Sequence, residues 1–226
     1  MSAKPKLQNG NHSACGCEEL GIKIDEAAKV IADSTQRYGP EEVFIAFNGG
    51  KDCTVLLDLY IKYSKHNAKP IVIYIQSENP FKEVDDFIRT CEIKYDINIE
   101  FAKGKLKPTL EQLCSKNPRL GAVVMGSRRT DPHCDKLETF QYTDPGWPKL
   151  LRINPILDWN YKDIWDYIRL NKIEYCKLYD EGYTSIGDRK NTKPNEHLLL
   201  PSNDGSRKYK RPWELDDNSF ERAGRF

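Results

Sequence analysis

The chain has 226 residues, with Lys+Arg 35 against Asp+Glu 34 and a formal net charge of +1. That length suits one α/β domain with extensions, and so even a charge gives no bulk drive toward nucleic acid or an anionic membrane. No apolar run is long enough to span a bilayer, and the first residues, MSAKPKLQNGNHS, carry no apolar signal core; the expectation is a cytoplasmic chain with neither a membrane nor a nucleic acid as partner.

Residues 1–17 are polar and read as a flexible tail. Cys15-Gly-Cys17 has the form of half a zinc site, but no second Cys/His pair of matching spacing follows, so metal is not expected there. Leu20, Ile24, Ala27, Ala28 and Ile31 then mark an amphipathic helix that ends near Gly39-Pro40. Val43 to Phe47 form an apolar run that reads as a buried strand. It stops at Asn48-Gly49-Gly50-Lys51-Asp52, and Leu56, Leu59, Tyr60 and Tyr63 resume with helical spacing. Ile71–Ile75 give a second strand and Val84, Phe87, Ile88, Cys91 and Tyr95 another helical stripe. A short strand near 97–101, a helix around Leu110 and Leu113, and a last clear strand at Ala122–Met125 follow. Of the seven cysteines, Cys53, Cys91 and Cys114 lie in or beside apolar patterns and read as reduced thiols.

Strands alternating with helices predict a Rossmann-like α/β fold, a mostly parallel sheet with helices on both faces. Ligands bind such sheets beyond the carboxyl ends of their strands, and both Asn48 and Gly126 follow strand ends. Farther on, Asn160 is a plausible N-cap for a helix bearing Ile164, Trp165 and Ile168, with Trp159 and Trp165 as packing residues. Lys190–Asp217 is rich in Pro, Asn, Asp and Lys and reads as an extended tail. The expected organisation is a catalytic domain over 18–189 and a C-terminal extension over 190–226 that folds back on the active site.

The chemistry concentrates at two loops. A strand, a two-glycine turn and a helix bring backbone N–H groups and a helix N-terminus to one point, which favours phosphate. Lys51 adds a positive charge. Asp52 would repel a phosphate unless a divalent cation lies between them. The spacing is neither that of a Walker loop nor Gly-x-Gly-x-x-Gly; it resembles the PP-loop of enzymes that split ATP between the α and β phosphates, with Asn48 in place of the first Ser. The second loop, Gly126-Ser127-Arg128-Arg129-Thr130-Asp131-Pro132, carries two arginines suited to bidentate phosphate binding. Trp147, in Thr143-Asp144-Pro145-Gly146-Trp147-Pro148, either offers a flat face to a planar ligand or caps the core.

In that order, FNGGKDCTVLL, MGSRRTDP, TDPGWP, RINPILDW and YTSIGDR resemble the eukaryotic-type FAD synthetases, or FMN adenylyltransferases, which are relatives of the phosphoadenylyl-sulfate reductases. The likeness covers roughly 43–190 and a terminal Glu221–Arg225. It implies transfer of the adenylyl group of ATP to FMN, giving FAD and pyrophosphate, with Mg2+. It implies ATP contacts at Phe47, Asn48, Gly49, Gly50, Lys51, Asp52 and Gly126, with Asp52 on the metal through phosphates and water. Flavin contacts are implied at Arg128, Arg129, Asp131, Asp144 and Trp147, and catalytic roles at Asn48, Asp52, Asp131, Arg222 and Arg225. Flavoproteins are the implied clients for the product. A reductase of phosphoadenylyl sulfate would need a reactive C-terminal Cys, and no Cys follows Cys176. A tRNA-modifying relative would need a basic surface, which the balanced charge argues against. A nucleotide sensor without turnover is the remaining alternative.

Overall fold

The computed structural model describes residues 12–202 and 205–226. Its first helix, α1, spans His12–Arg37. Helix therefore begins inside the segment expected to be a flexible tail, and 12–17 belong to α1. The side chains of Cys15 and Cys17 lie outside the described residues.

The sheet is built from β1 (Val43–Ala46), β2 (Ile71–Gln76), β3 (Ile99–Lys103), β4 (Ala122–Val124), β5 (Phe140–Tyr142) and β6 (Leu151–Ile153). The helices between and after them are α2 (Lys51–Tyr63), α3 (Lys82–Tyr95), α4 (Leu106–Lys116) and α5 (Tyr161–Leu170). Strand order is β3-β2-β1-β4-β6-β5. Every pairing is parallel except β5 with β6. The sheet grows outward in one direction from β1 to β3 and in the other from β4 to β5, so the order reverses between β1 and β4. The loops after these two strands splay apart there and leave a crevice.

Period-two alternation divides the sheet's residues between two faces. Val43, Ile45, Val72, Tyr74, Ala122 and Val124 join one large core with α1, α2, α3 and α5. Phe44, Ile73 and Val123 point the other way, into a smaller cluster with Leu113 of α4. Helices thus lie on both faces, but unevenly. Four pack one face and one packs the other, and the thinly covered face has room for a ligand.

Two strands were not foreseen. β5 and β6 are three residues each, and the antiparallel β5 edges the sheet beside β6. Helix α5 starts where expected: the Asn160 side chain accepts from the Asp163 N–H, and the Asp163 carboxylate accepts from the Asn160 N–H at 2.7 Å. Such a cap contributes about 1 kcal/mol. Trp159 and Trp165 are buried as packing residues.

The segment after 190 is more than an extended tail. Leu198 and Leu215 are buried in the large core, and Trp213 meets Trp165 edge-on at 6.0 Å. The Asn195 side chain donates to the Phe220 carbonyl at 2.8 Å, and the Lys193 N–H to the Gly224 carbonyl at 2.9 Å. These two bonds close the segment on itself. It is fastened to the domain where the Asn195 N–H donates to the Gly182 carbonyl at 2.8 Å, the Thr184 hydroxyl to the Glu221 carbonyl at 2.6 Å and the Tyr161 hydroxyl to the Pro212 carbonyl at 2.8 Å. Short 3-10 turns lie at Pro212–Glu214 and Asn218–Arg222. Among the described residues no helix is long and apolar enough to cross a membrane.

Candidate active site

A cavity of about 710 Å³ opens at the switch point between β1 and β4 and runs along the thinly covered face. Its rim is the loop after β1. Gly49 has φ +69 there, and a Cβ on it would meet Val84 and Ile88 of α3 at 3.0 and 3.1 Å. Its lack of a side chain therefore serves the turn and the packing against α3 rather than an approach to a ligand. Gly50 borders the cavity and its N–H donates to Asn48 Oδ1 at 2.9 Å, while the Lys51 N–H donates to the Tyr179 hydroxyl at 2.8 Å. These bonds hold the first turn of α2 with its positive dipole end at the cavity. On the neighbouring loop a Cβ at Gly126 would lie 3.1 Å from the Cys53 nitrogen and 3.2 Å from the Asp52 carbonyl carbon. The end of β4 thus abuts the backbone of α2, and only a glycine fits without displacing it.

Four charges lock together beneath this rim. Lys51 Nζ lies 3.1 Å from Asp52 Oδ2 and 2.5 Å from Glu221 Oε1. Arg128 Nε lies 2.9 Å from Asp52 Oδ1, and its Nη2 lies 2.6 Å from the same Glu221 oxygen. Lys51 and Arg128 are 2 % and 1 % exposed. Asp131 adds an acceptor for the Arg128 N–H at 2.9 Å. Burial pushes the Asp52 carboxyl up, but Lys51 and Arg128 outweigh that and hold it below the usual carboxylate range. Burial alone would weaken the hold of Arg128 on its proton; Asp52, Glu221 and Asp131 more than reverse that. The adjacent Cys53 thiol is pushed up to about 12, by burial first and by Asp52 second, so it stays protonated.

Three other arginines face the same cavity without a carboxylate partner among the described residues. Arg222 and Arg225 reach only the Ser185 hydroxyl, at 3.5 and 3.4 Å. Gly187 makes room for Arg225, since a Cβ there would lie 2.2 Å from its Nη2. Burial and the neighbouring Arg222 lower the affinity of Arg225 for its proton. Arg152 of β6 pairs in register with Val123, and its buried Nε has no hydrogen-bond partner. It is a cation on an otherwise apolar stretch of sheet. Uncompensated, partly buried positive charge costs free energy unless a ligand neutralises it.

Beyond Arg152 the cavity turns apolar. Phe44, Ala46, Ile73 and Val123 form its floor, and Leu106 and Leu110 of α4 lie over it. Thr143, Asp144 and Trp147 line the end beyond β5. Trp147 is 36 % exposed, so it walls the cavity rather than capping the core.

Of the residues singled out in the sequence, Phe47, Asn48, Gly50, Lys51, Asp52, Gly126, Asp131, Asp144, Trp147, Arg222 and Arg225 line this one cavity. Arg128 does not; it lies beneath, spent on three carboxylates. Arg129 turns elsewhere: its Nε meets Asp158 at 2.5 Å and its Nη1 the Leu137 carbonyl at 2.6 Å, which pins the 135–137 turn. Sequence reasoning missed Arg152, Glu221 and Tyr179. Arg152 and Glu221 sit inside the recognised blocks RINPILDW and Glu221–Arg225, but nothing in their spacing says which way they point. His197 stacks on Phe220 with ring centroids 3.8 Å apart. Among the described residues no group of three or more His, Cys, Asp or Glu is placed to hold a metal.

Known proteins resemble this arrangement. The family model of the phosphoadenosine phosphosulfate reductase domain matches residues 42–112 and 104–194. A probable FAD synthase of Schizosaccharomyces pombe is 37% identical over 225 residues, covering 95% of this chain and 83% of that protein. One from Caenorhabditis briggsae is 39% identical over 208 residues, covering 90% of this chain and 40% of that longer protein. The crystal structure of Candida glabrata FMN adenylyltransferase in complex with FAD and inorganic pyrophosphate superposes with a TM-score of 0.86 at 25% identity, covering 98% of this chain and 92% of that one. The sheet with its glycine loop at the switch point, the cavity along one face and these likenesses agree: the chain belongs to the FAD synthase family, built on the phosphoadenosine phosphosulfate reductase domain.

Proposed function

We propose that the chain joins FMN to the adenylyl group of ATP, giving FAD and pyrophosphate. The observation that carries this reading is the two-part cavity. One part gathers three uncompensated arginines and a helix N-terminus, which suits polyanions; the other is an apolar slot ending at Trp147, which suits a flat ring system. ATP phosphates are assigned to the loop 48–52, and the flavin ring to the slot between α4 and the sheet.

In the proposed step an oxygen of the FMN phosphate forms a bond to the α-phosphorus of ATP. The bond from that phosphorus to the oxygen bridging to the β-phosphate breaks, and pyrophosphate leaves with the electron pair. The nucleophile is already ionised, so no strong general base is required. The obstacle is repulsion between two anions, which Arg152, Arg222 and Arg225 relieve by fixed charge in a partly dry site. Holding the reactants in line supplies the rest.

A magnesium ion arriving on nucleotide phosphates would face Asp52, which stays ionised although both its oxygens are paired with Lys51 and Arg128, and Asp131. Such an ion would be held mainly by the phosphates and water and would supply neutralising charge there. A cytoplasmic location is proposed too, in keeping with the free thiols of Cys91 and Cys176 in the core; flavoproteins would take the product.

The test is direct. Purified protein with FMN, ATP and magnesium should yield FAD and pyrophosphate in equal amounts by chromatography. Binding of both substrates without turnover would favour a sensor, and AMP release without FAD would sink the assignment.

A further inference from the structure

Lys51 looks from the sequence like a phosphate ligand, but the structure commits its charge elsewhere. Its ammonium is 2 % exposed and held by Asp52 and Glu221, and Arg128 is taken up by Asp52, Asp131 and the same Glu221 oxygen. The cations Lys51 and Arg128 face three carboxylates, Asp52, Glu221 and Asp131, so the set holds no spare positive charge. What remains for a polyanion is Arg152, Arg222 and Arg225. A carboxylate at this spot is otherwise unfavourable, because a buried anion beside a polyphosphate site repels the ligand. Glu221 therefore needs a purpose other than binding.

Its position in the chain supplies one. Glu221 belongs to the 3-10 turn Asn218–Arg222, directly before Arg222 and four residues before Arg225. Its carbonyl accepts from the Thr184 hydroxyl at 2.6 Å, while its side chain reaches Lys51 at the start of α2 and Arg128 after β4. It thus ties the C-terminal turn to both loops of the switch point at once. We infer that Glu221 is a positioning residue: its carboxylate, clamped by Lys51 and Arg128, sets Arg222 and Arg225 over the phosphate loop. Lys51 on this view anchors the C-terminal segment. The inference rests on the adenylyl-transfer reading, since kcat is one of its readouts.

Glu221→Gln keeps the shape and removes the charge. FAD formation is to be followed in single turnover with enzyme in excess, first in the otherwise native chain and then in an Arg222→Ala/Arg225→Ala background. The native chain forming no FAD would fail the function reading itself, separately from this one. Given native turnover, the Gln change should slow the step by roughly tenfold or more, as for the loss of preorganised charge, while the KM for ATP changes by less than about threefold. In the background without the two arginines the same change should alter the rate by less than about twofold, because coupled residues are not additive. Amide exchange across 218–226 should quicken in the Gln variant and stay native-like in β1 and β4. Equal losses in both backgrounds, or unchanged exchange across 218–226, would overturn the inference. So would tighter ATP binding in the Gln variant, which would mean that the carboxylate competes with phosphate. Glu221→Asp, which keeps the charge but withdraws it by one methylene, serves in the same cycle if the Gln chain does not fold, with the same outcomes deciding.

Discussion

Arg152 carries the plainest residue-scale consequence. It stands on β6 opposite Val123 with an unpartnered buried Nε. It lines the same cavity as Arg222 and Arg225. A charge-assisted hydrogen bond contributes about 1.5–3 kcal/mol, roughly tenfold or more in affinity. Arg152→Met should therefore raise the KM for FMN by about tenfold and leave riboflavin, which lacks the phosphate, competing as well as before. Equal weakening of both would mean that the guanidinium reads the flavin ring instead. Asp52 is a second test. It is held ionised at the rim, and Asp52→Ala should lower kcat by about a hundredfold; near-normal turnover would leave it only a role in holding Lys51 and Arg128. The sequence could not separate Arg128 from Arg129, since adjacent residues in a turn point apart, one inward to three carboxylates and the other out to Asp158.

At the scale of elements, the legible parts are those with periodicity or chemistry of their own. The runs of β1, β2 and β4, the stripes of α2 and α3, and the Asn160 cap of α5 each announce themselves because apolar spacing or a capping side chain encodes them locally. β5 and β6 do not. Each is three residues with a polar one in the middle, FQY and LRI, so neither reads as an apolar run as β4 does, and their pairing is decided by neighbours distant in the chain. The fold-back of the C-terminal segment was expected, but not how it is held, for a related reason. The segment contributes few apolar residues, Leu198 and Leu215 among them, and is fastened to the domain by bonds to Tyr161, Gly182 and Thr184 that no local pattern reveals. The loop 185–187 gives this segment its seat, so Gly187→Ala is the test at this scale. A Cβ there meets the guanidinium of Arg225 at 2.2 Å, the movable end of a side chain. The expected result is a kcat lowered by roughly tenfold with a melting temperature close to native. Unchanged turnover would mean that Arg225 acts from another position.

At the scale of the whole molecule, the sheet does two jobs with its two faces. The face under α1, α2, α3 and α5 holds most of the buried apolar side chains, and the other face gives up cover to make the cavity. Stability should therefore follow groups in the large core, and its titration behaviour gives a test that leaves catalysis aside. Burial pushes the Cys91 thiol up to about 12 and the Cys176 thiol up to about 11, from 9.0, and the Tyr60 phenol up to about 12, from 10.0. A group whose folded value is raised binds its proton more tightly in the folded state. Its contribution is complete below the unfolded value and is lost as pH rises through the folded one. The unfolded chain thus begins to ionise these thiols near 9.0 while the folded chain does not. Denaturant melts should give a stability that falls steadily from about pH 9 upward. Asp52 has the opposite sign: its lowered value contributes above 3.8 and is lost as pH falls through its folded value, so it leaves the alkaline limb unchanged. Replacing both thiols, by Cys91→Ala and Cys176→Ala, lowers stability at neutral pH through lost packing but removes two of the ionising groups. The slope above about pH 9 should then be shallower than in the native chain, whatever the offset. Parallel slopes would mean that these thiols reach solvent, and that the large core is looser around α3 than its packing implies.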